Sequence, residues 1–356
     1  MRLRLAAACA GLLALLPLAC ASGQTRAYGG SRADILLEAI ACESGAFAVG
    51  RTASSDRDLA MRTRETEAGW AVRLDDAGDI LWSYCTGRAG MQTMVSPYET
   101  DEGFSLVLTD ETGARGEWIR LSHEGELIRR VSLPAAAALC AQGGEIRQML
   151  PLEDGLYILL EHEDAAQCIA RMDENGDITQ GTALSCGADA RLVRGAQGVS
   201  CVGALDGALS IVGEDGPKTV PGMQRITALR DALYLGDGSL LACAEAEEAG
   251  VVMRVSADGE LLFWQELGEE ALLLTETDTG FAALCVDAQG NAVVFLDEDG
   301  ALLGKTDAPE NTLDLIAAEG GAAALSHDRA PGRRQAIFTL LPQPEAGEQK
   351  ETDEEL

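Results

Sequence analysis

One glycine-led pattern recurs seven times and limits what this chain can fold into. A glycine followed by four or five apolar or small residues stands at Gly45 (GAFAVG), Gly103 (GFSLVL), Gly155 (GLYILL), Gly198 (GVSCVG), Gly238 (GSLLAC), Gly280 (GFAALC) and Gly321 (GAAALS). The intervals are 58, 52, 43, 40, 42 and 41 residues. Between these anchors lies a second one, a short strand broken by an acidic turn that ends in glycine. Its copies include VRLDDAGDILW at Gly78, IRLSHEGELI at Gly125, ARMDENGDI at Gly176, MRVSADGELLF at Gly259 and VFLDEDGALL at Gly300. Asp, Asn and Gly at such turns supply the backbone angles a hairpin reversal needs.

Each unit therefore reads as four strands: an inner one such as DILLEAIAC, the glycine-led strand, and the two arms of the acidic hairpin. The glycine-led strand is apolar on both faces, which predicts burial on both sides. Four-stranded units of 40–45 residues are the mark of a propeller blade. The expected fold is all-β, a seven-bladed β-propeller of four-stranded antiparallel blades over residues 24–343. The seventh unit stops after its third strand, AIFTLLPQ, whereas residues 24–31 (QTRAYGGS) resemble the close of a unit. The N-terminal strand is thus expected to complete blade seven and close the ring, removing an unpaired edge. Residues 344–356 form an acidic tail, expected to be disordered.

The matching stretches are Tyr28-Gly29-Gly30-Ser31, then Gly45 to Gly50 with Thr52, Ser54 and Ser55, then Gly69 to Asp75 with Gly78 and Trp82. On these residues the chain resembles secreted bacterial β-propeller repeat proteins of the PQQ-like and tryptophan-aspartate-like class. The likeness spans about residues 28–340, is sharp over the first unit, and thins to spacing and turn chemistry later. It implies a fold and an exported location but no single activity. Quinone-dependent enzymes of that class carry tryptophan docking motifs in most blades. Here Trp70, Trp82, Trp118 and Trp264 are few and uneven, so no cofactor is expected.

The first 21 residues fit a signal peptide: Arg2 and Arg4, an apolar run from Leu3 to Leu18, then Ala19-Cys20-Ala21. Two fates stay open. Cleavage after Ala21 gives a soluble extracellular protein, and acylation of Cys20 gives a lipid-anchored one. No later apolar run is long enough for a transmembrane segment. The formal net charge of −31 repels phosphate backbones, so nucleic acid is not expected as a partner. Eight cysteines follow residue 21, with no CxxC pair. Most are expected as buried free thiols, with at most one or two bridges.

Motifs for catalysis or metal binding fail on geometry. Ser326-His327-Asp328 and Ser122-His123-Glu124 are consecutive, and consecutive residues cannot form a relay. His162 among acids lacks further ligands. Asp173-x-Asn175-x-Asp177 begins like a calcium loop, but Ile178 and Leu184 stand where Gly and Glu are required. No catalytic residue and no metal site is assigned.

What stands out is loop charge. The loop at 51–68 carries Arg51, Arg57, Arg62 and Arg64, and the loop at 327–335 carries Arg329, Arg333 and Arg334. Ring closure would make them neighbours, a basic sector on an acidic protein. It would suit an anionic glycan or an acidic segment of a partner protein. The expected role is a monomeric binding or scaffold module at or outside the cell envelope. A carbohydrate-active hydrolase or lyase, and an envelope-assembly lipoprotein scaffold, are the alternatives.

Overall fold

The computed structural model describes residues 24–59, 67–86, 91–110, 116–134, 144–153, 155–162, 167–187, 189–195, 198–213, 216–247, 249–328 and 334–344. Cys20, Cys140, Arg62, Arg64, Arg329 and Arg333 lie outside them, as does the acidic tail but for Pro344. Seven four-stranded antiparallel sheets follow one another in chain order. Blade 1 is built from Asp34–Ala41, Ala46–Thr52, Ala68–Leu74 and Ile80–Cys85. Blades 2 to 6 occupy residues 92–132, 144–184, 191–220, 226–266 and 270–307. Each runs from its inner strand outwards by hairpins. Blade 7 takes Thr312–Ala318, Gly321–His327 and Ala336–Pro342, and its outer strand is Thr25–Tyr28 from the N-terminus. The register runs Thr25 to Thr339 and Tyr28 to Ala336. The expected ring closure is what the chain does.

The glycine-led strands are covered on both faces: Ala46 to Val49, Phe104, Leu106 to Leu108, and Leu240 to Ala244 are all buried. A blade is a thin sheet whose two faces must be covered by its neighbours, so the core comes in slices. Seven apolar clusters follow, one at each junction between blades. Trp70, Val72 and Leu36 of blade 1 meet Phe338, Leu325 and Ile316 of blade 7. On the other side of blade 1, Phe47 stacks on Phe104 of blade 2 at 4.2 Å. Between blades 3 and 4, Leu159 packs on Cys186, Ala190, Leu192 and Cys201.

The seam between the closing strand and blade 1 has its own clasp. Asp34 is fully buried. Its Oδ2 accepts from the Gly30 N–H and the Ser54 hydroxyl, both at 2.7 Å, and Oδ1 accepts from the Thr52 hydroxyl at 2.5 Å. Further along the same loop, Asp56 accepts from the Ser31 N–H at 2.8 Å and Asp58 from the Gly29 N–H at 3.0 Å. Glycine is required here: Gly29 has φ +114°, and a Cβ on Gly30 would overlap Asp56 and Ser54. Tyr28 donates to the Gly78 carbonyl at 2.6 Å and Arg26 pairs with Asp79 at 2.7 Å, tying the closing strand to the hairpin of blade 1.

Replacing Asp34 by Ala strands several buried donors at once, so Asp34→Ala is expected to cost about 3–5 kcal/mol of unfolding free energy. Urea denaturation checks this. A cost below about 1 kcal/mol would mean that the clasp does not hold the seam.

Candidate functional site

In each blade the residue seven positions before the anchoring glycine sits on the inner strand, at or beside its bulge where it has one. Around the ring these residues are Glu38, Ser96, Gln148, Arg191, Asp231, Leu273 and Asp314. Most of these inner strands carry an irregularity there, as between Leu36 and Glu38, Ile146 and Gln148, Leu229 and Asp231, and Thr312 and Asp314. A bulge re-aims the next side chain. Here it turns that side chain toward the inner strand of the following blade.

The result is a repeated hydrogen bond from blade to blade. Asp314 of blade 7 accepts from the Ala39 N–H of blade 1 at 2.6 Å. Glu38 of blade 1 accepts from the Ser96 N–H of blade 2 at 2.7 Å. Gln148 accepts from the Leu192 N–H at 2.7 Å and donates to the same residue's carbonyl at 3.2 Å. Asp231 accepts from the Leu274 N–H at 3.0 Å. Between blades 4 and 5 the position holds Arg191, and Asp189 just before it accepts from the Leu229 N–H instead. Five of the seven junctions are latched in this way among the described residues. Blade 6 presents Leu273 at the same place and makes no such bond there.

The electrostatics follow from enclosure. Burial pushes the carboxyls of Glu38, Asp189 and Asp231 above the usual range. Asp314 goes furthest, to about 8, through burial first and then the negative charges of Glu38 and Asp231, against the bond from Ala39. Arg191 lies 3.8 Å from Asp231 and is the cation that eases both Asp231 and Glu38. From the same strand Arg194 reaches past blade 3 to lie over the Tyr98 ring of blade 2 at 4.3 Å.

The remaining sequence motifs resolve into structure. Asp173 caps its hairpin, accepting from the N–H groups of Asn175 and Asp177 at 2.8 and 3.1 Å, and these bonds hold its carboxyl low. Asp75 and Asp297 do the same in their own hairpins, which is why the turns are acidic. Asp328 pairs with Gln335 across the neck of its loop at 2.9 Å. His123 meets the edge of Phe104 at 5.4 Å and sits 3.8 Å from Glu99. No group of three or more metal-ligating side chains occurs among the described residues. Cys186, Cys201, Cys243 and Cys285 are buried and unbridged. Burial lifts the Cys285 thiol to about 12, so it packs as a small apolar residue.

Of the expected basic sector, Arg51, Arg57 and Arg334 are described. Asp34 links its two loops: its N–H donates to the Arg334 carbonyl at 2.8 Å while its carboxylate holds Thr52 and Ser54. Arg57 and Arg334 are exposed, and Arg51 approaches the Met91 sulfur at 3.6 Å. The first half of the long loop thus has a structural task, through Ser54, Asp56, Asp58 and the buried Leu59. On the opposite face of the ring, a cavity of about 410 Å³ opens between the turns of blades 4 and 5, walled by Tyr234, Ser200 and Lys218.

No protein-family model matches the chain, and no curated protein sequence matches it. Solved structures do match in fold. Virginiamycin B lyase from Staphylococcus aureus aligns with a TM-score of 0.54 at 10% identity, over 90% of this chain and 100% of that one. Puromycin hydrolase aligns with a TM-score of 0.52 at 16% identity, over 85% of this chain and 53% of that one. The propeller domain of Myceliophteria thermophila Swd1 gives 0.52 at 12%, over 89% and 98%. Two of these names are of enzymes and the third is of a propeller domain. At such identities the likeness is one of β-propeller fold.

The raised carboxyl of Asp314 sets a pH dependence. Below about pH 4 it is protonated in both folded and unfolded chains and contributes no slope. Between there and about pH 8 the folded state keeps a proton that the unfolded chain has released. Stability therefore falls as pH rises, by at most about 1.4 kcal/mol per unit, and levels off above pH 8. Asp314→Asn keeps an acceptor for only one of the Ala39 and Leu315 N–H groups at every pH but removes this slope. Thermal melts from pH 4 to 9 should show the variant gaining on the parent chain as pH rises; parallel profiles would contradict the assignment.

Proposed function

We propose that the chain is an exported β-propeller that serves as a binding module at or outside the cell envelope, holding an anionic glycan or an acidic protein segment. The supporting observation is the occupation of the axis. In many rings of this shape the axial acids would be the first candidates for catalysis. Here Glu38, Asp189, Asp231 and Asp314 each give an oxygen to the backbone of the next blade. Side chains repeated at equivalent positions around a ring serve what the ring repeats, which is the junction.

The basic sector at the seam is the proposed contact surface, with Arg51, Arg57 and Arg334 as its described members; Arg62, Arg64, Arg329 and Arg333, which the sequence adds to it, lie outside the described residues. Export rests on the signal-like first 21 residues. Cys20 decides between a soluble module and an anchored scaffold, and mass spectrometry of the mature N-terminus reads which. A hydrolase or lyase is the second reading. It is favoured by Asp314, a carboxyl protonated near neutral pH beside the second carboxyl of Glu38, which is a disposition that acid catalysis uses.

One experiment separates the two. The mature chain is incubated with immobilised acidic and neutral glycans and peptides, and bound and free material is analysed by mass spectrometry. The binding reading expects acidic ligands retained and recovered intact, with retention lost when Arg334 and Arg57 are both changed to Glu. Cleavage that disappears in Asp314→Asn, with the fold retained, would replace it with the enzymatic reading.

A further inference from the structure

Two cysteines meet at the junction between blades 3 and 4. Cys186 lies in the link that leaves blade 3, and Cys201 stands midway along Gly198–Leu205, the glycine-led strand of blade 4. Both are fully buried, and the structure holds both as thiols. Cys201 and Gly203 are two residues apart on that strand, so their side-chain positions share a face. A Cβ on Gly203 would overlap the Cys186 carbonyl oxygen. The absent side chain is what lets the backbone of Cys186 lie down on the strand. Gln167 of blade 3 fixes the link from the other side. Its Oε1 accepts from the Cys186 N–H at 3.2 Å, and its Nε2 donates to the Gly187 carbonyl.

Held there, Cys186 turns its sulfur toward Cys201. The Cys186 thiol donates to the Cys201 carbonyl at 3.1 Å and to the Ser210 carbonyl of the next strand at 3.4 Å. The Cys201 thiol in turn hydrogen-bonds to the Cys186 sulfur. Receiving that bond draws the Cys186 thiol below its ordinary range, while Cys201, which gives it, is pushed up by the same bond and then by burial. Burial also pushes up the thiols of Cys42, Cys168, Cys243 and Cys285. Of these six, Cys186 therefore carries the most thiolate character, and the thiolate is the form that attacks a disulfide.

We infer that Cys186 and Cys201 are a disulfide-forming pair, joined when the chain folds in an oxidising compartment. One thiolate attacks the disulfide of an oxidant, such as glutathione disulfide or a protein disulfide, and expels one of its sulfurs as a thiol. The second cysteine then attacks the mixed disulfide and expels the other. Two protons and two electrons leave the pair, and the oxidant ends as two thiols. Both sulfurs are enclosed in the finished ring, so the exchange belongs to folding. The bridge closes a loop between residues 15 apart and anchors the blade 3–4 link to the centre of blade 4. Cys201 is the register partner of Leu192, whose N–H the Gln148 latch holds. The oxidant is what export supplies, so its source rests on the exported reading, whereas the pairing itself does not.

The test is to refold the full mature chain from urea in mixed reduced and oxidised glutathione. Free thiols are then blocked with N-ethylmaleimide in denaturant, and the chain is digested with trypsin. The two cysteines fall in separate peptides, Met172–Arg191 and Gly195–Lys218, so a bridge shows as one cross-linked mass that a reductant divides. That mass is expected from most of the refolded chain. The oxidised chain is expected to melt about 3–8 °C above the reduced one, a difference that Cys201→Ser abolishes and Cys168→Ser keeps. Separate blocking of both cysteines overturns the inference, as does a bridge from either to another cysteine. Chain recovered from an exporting host and digested in the same way gives a second measurement that needs no refolding, and the same mass is expected there. A cross-link formed in glutathione but missing from the exported chain keeps the pair and counts against the exported reading instead.

Discussion

The structure depends on one constraint: a blade cannot bury its faces alone, so every blade needs two neighbours and the ring has to close. The seven apolar slices are meaningful only together. Opening the seam would expose Trp70 and Val72 on one side and Phe338 and Leu325 on the other. The chain secures that seam with the borrowed strand Thr25–Tyr28, with the buried carboxylate of Asp34, and with Asp314 reaching the Ala39 N–H at the axis. These three devices span the seam from its outer edge to its inner one.

Much of this was legible in the residues. The glycine-led strands gave the blade count because a strand apolar on both faces has nowhere to go but the middle of a stack. The missing fourth strand of the seventh unit pointed to the N-terminus, and the segment that pairs Tyr28 with Ala336 is that strand. The axial latches were harder to see. Their signal is a carboxylate or amide side chain seven places before four of the seven anchoring glycines: Glu38 in LLEAIA, Gln148 in IRQML, Asp231 in LRDAL and Asp314 in TLDLI. Strand alternation alone hides them, because the bulge that turns each one inward breaks the period of two.

The long loop of blade 1 shows the other limit. Its arginines suggested a binding edge. In the fold, Asp56 and Asp58 hold the N–H groups of Ser31 and Gly29, a task set by chain segments more than twenty residues away.

The central claim is that the axial hydrogen bonds belong to the closed ring and break only when it opens. Native-state hydrogen exchange of the Ala39, Ser96, Leu192, Leu229 and Leu274 amides measures this most directly. If the claim holds, these five exchange only through global unfolding, with protection matching the stability from urea denaturation and equal from one amide to the next. Exchange at the rate of exposed turns, while amides in the glycine-led strands stay protected, would show that the axis is not what holds the blades together.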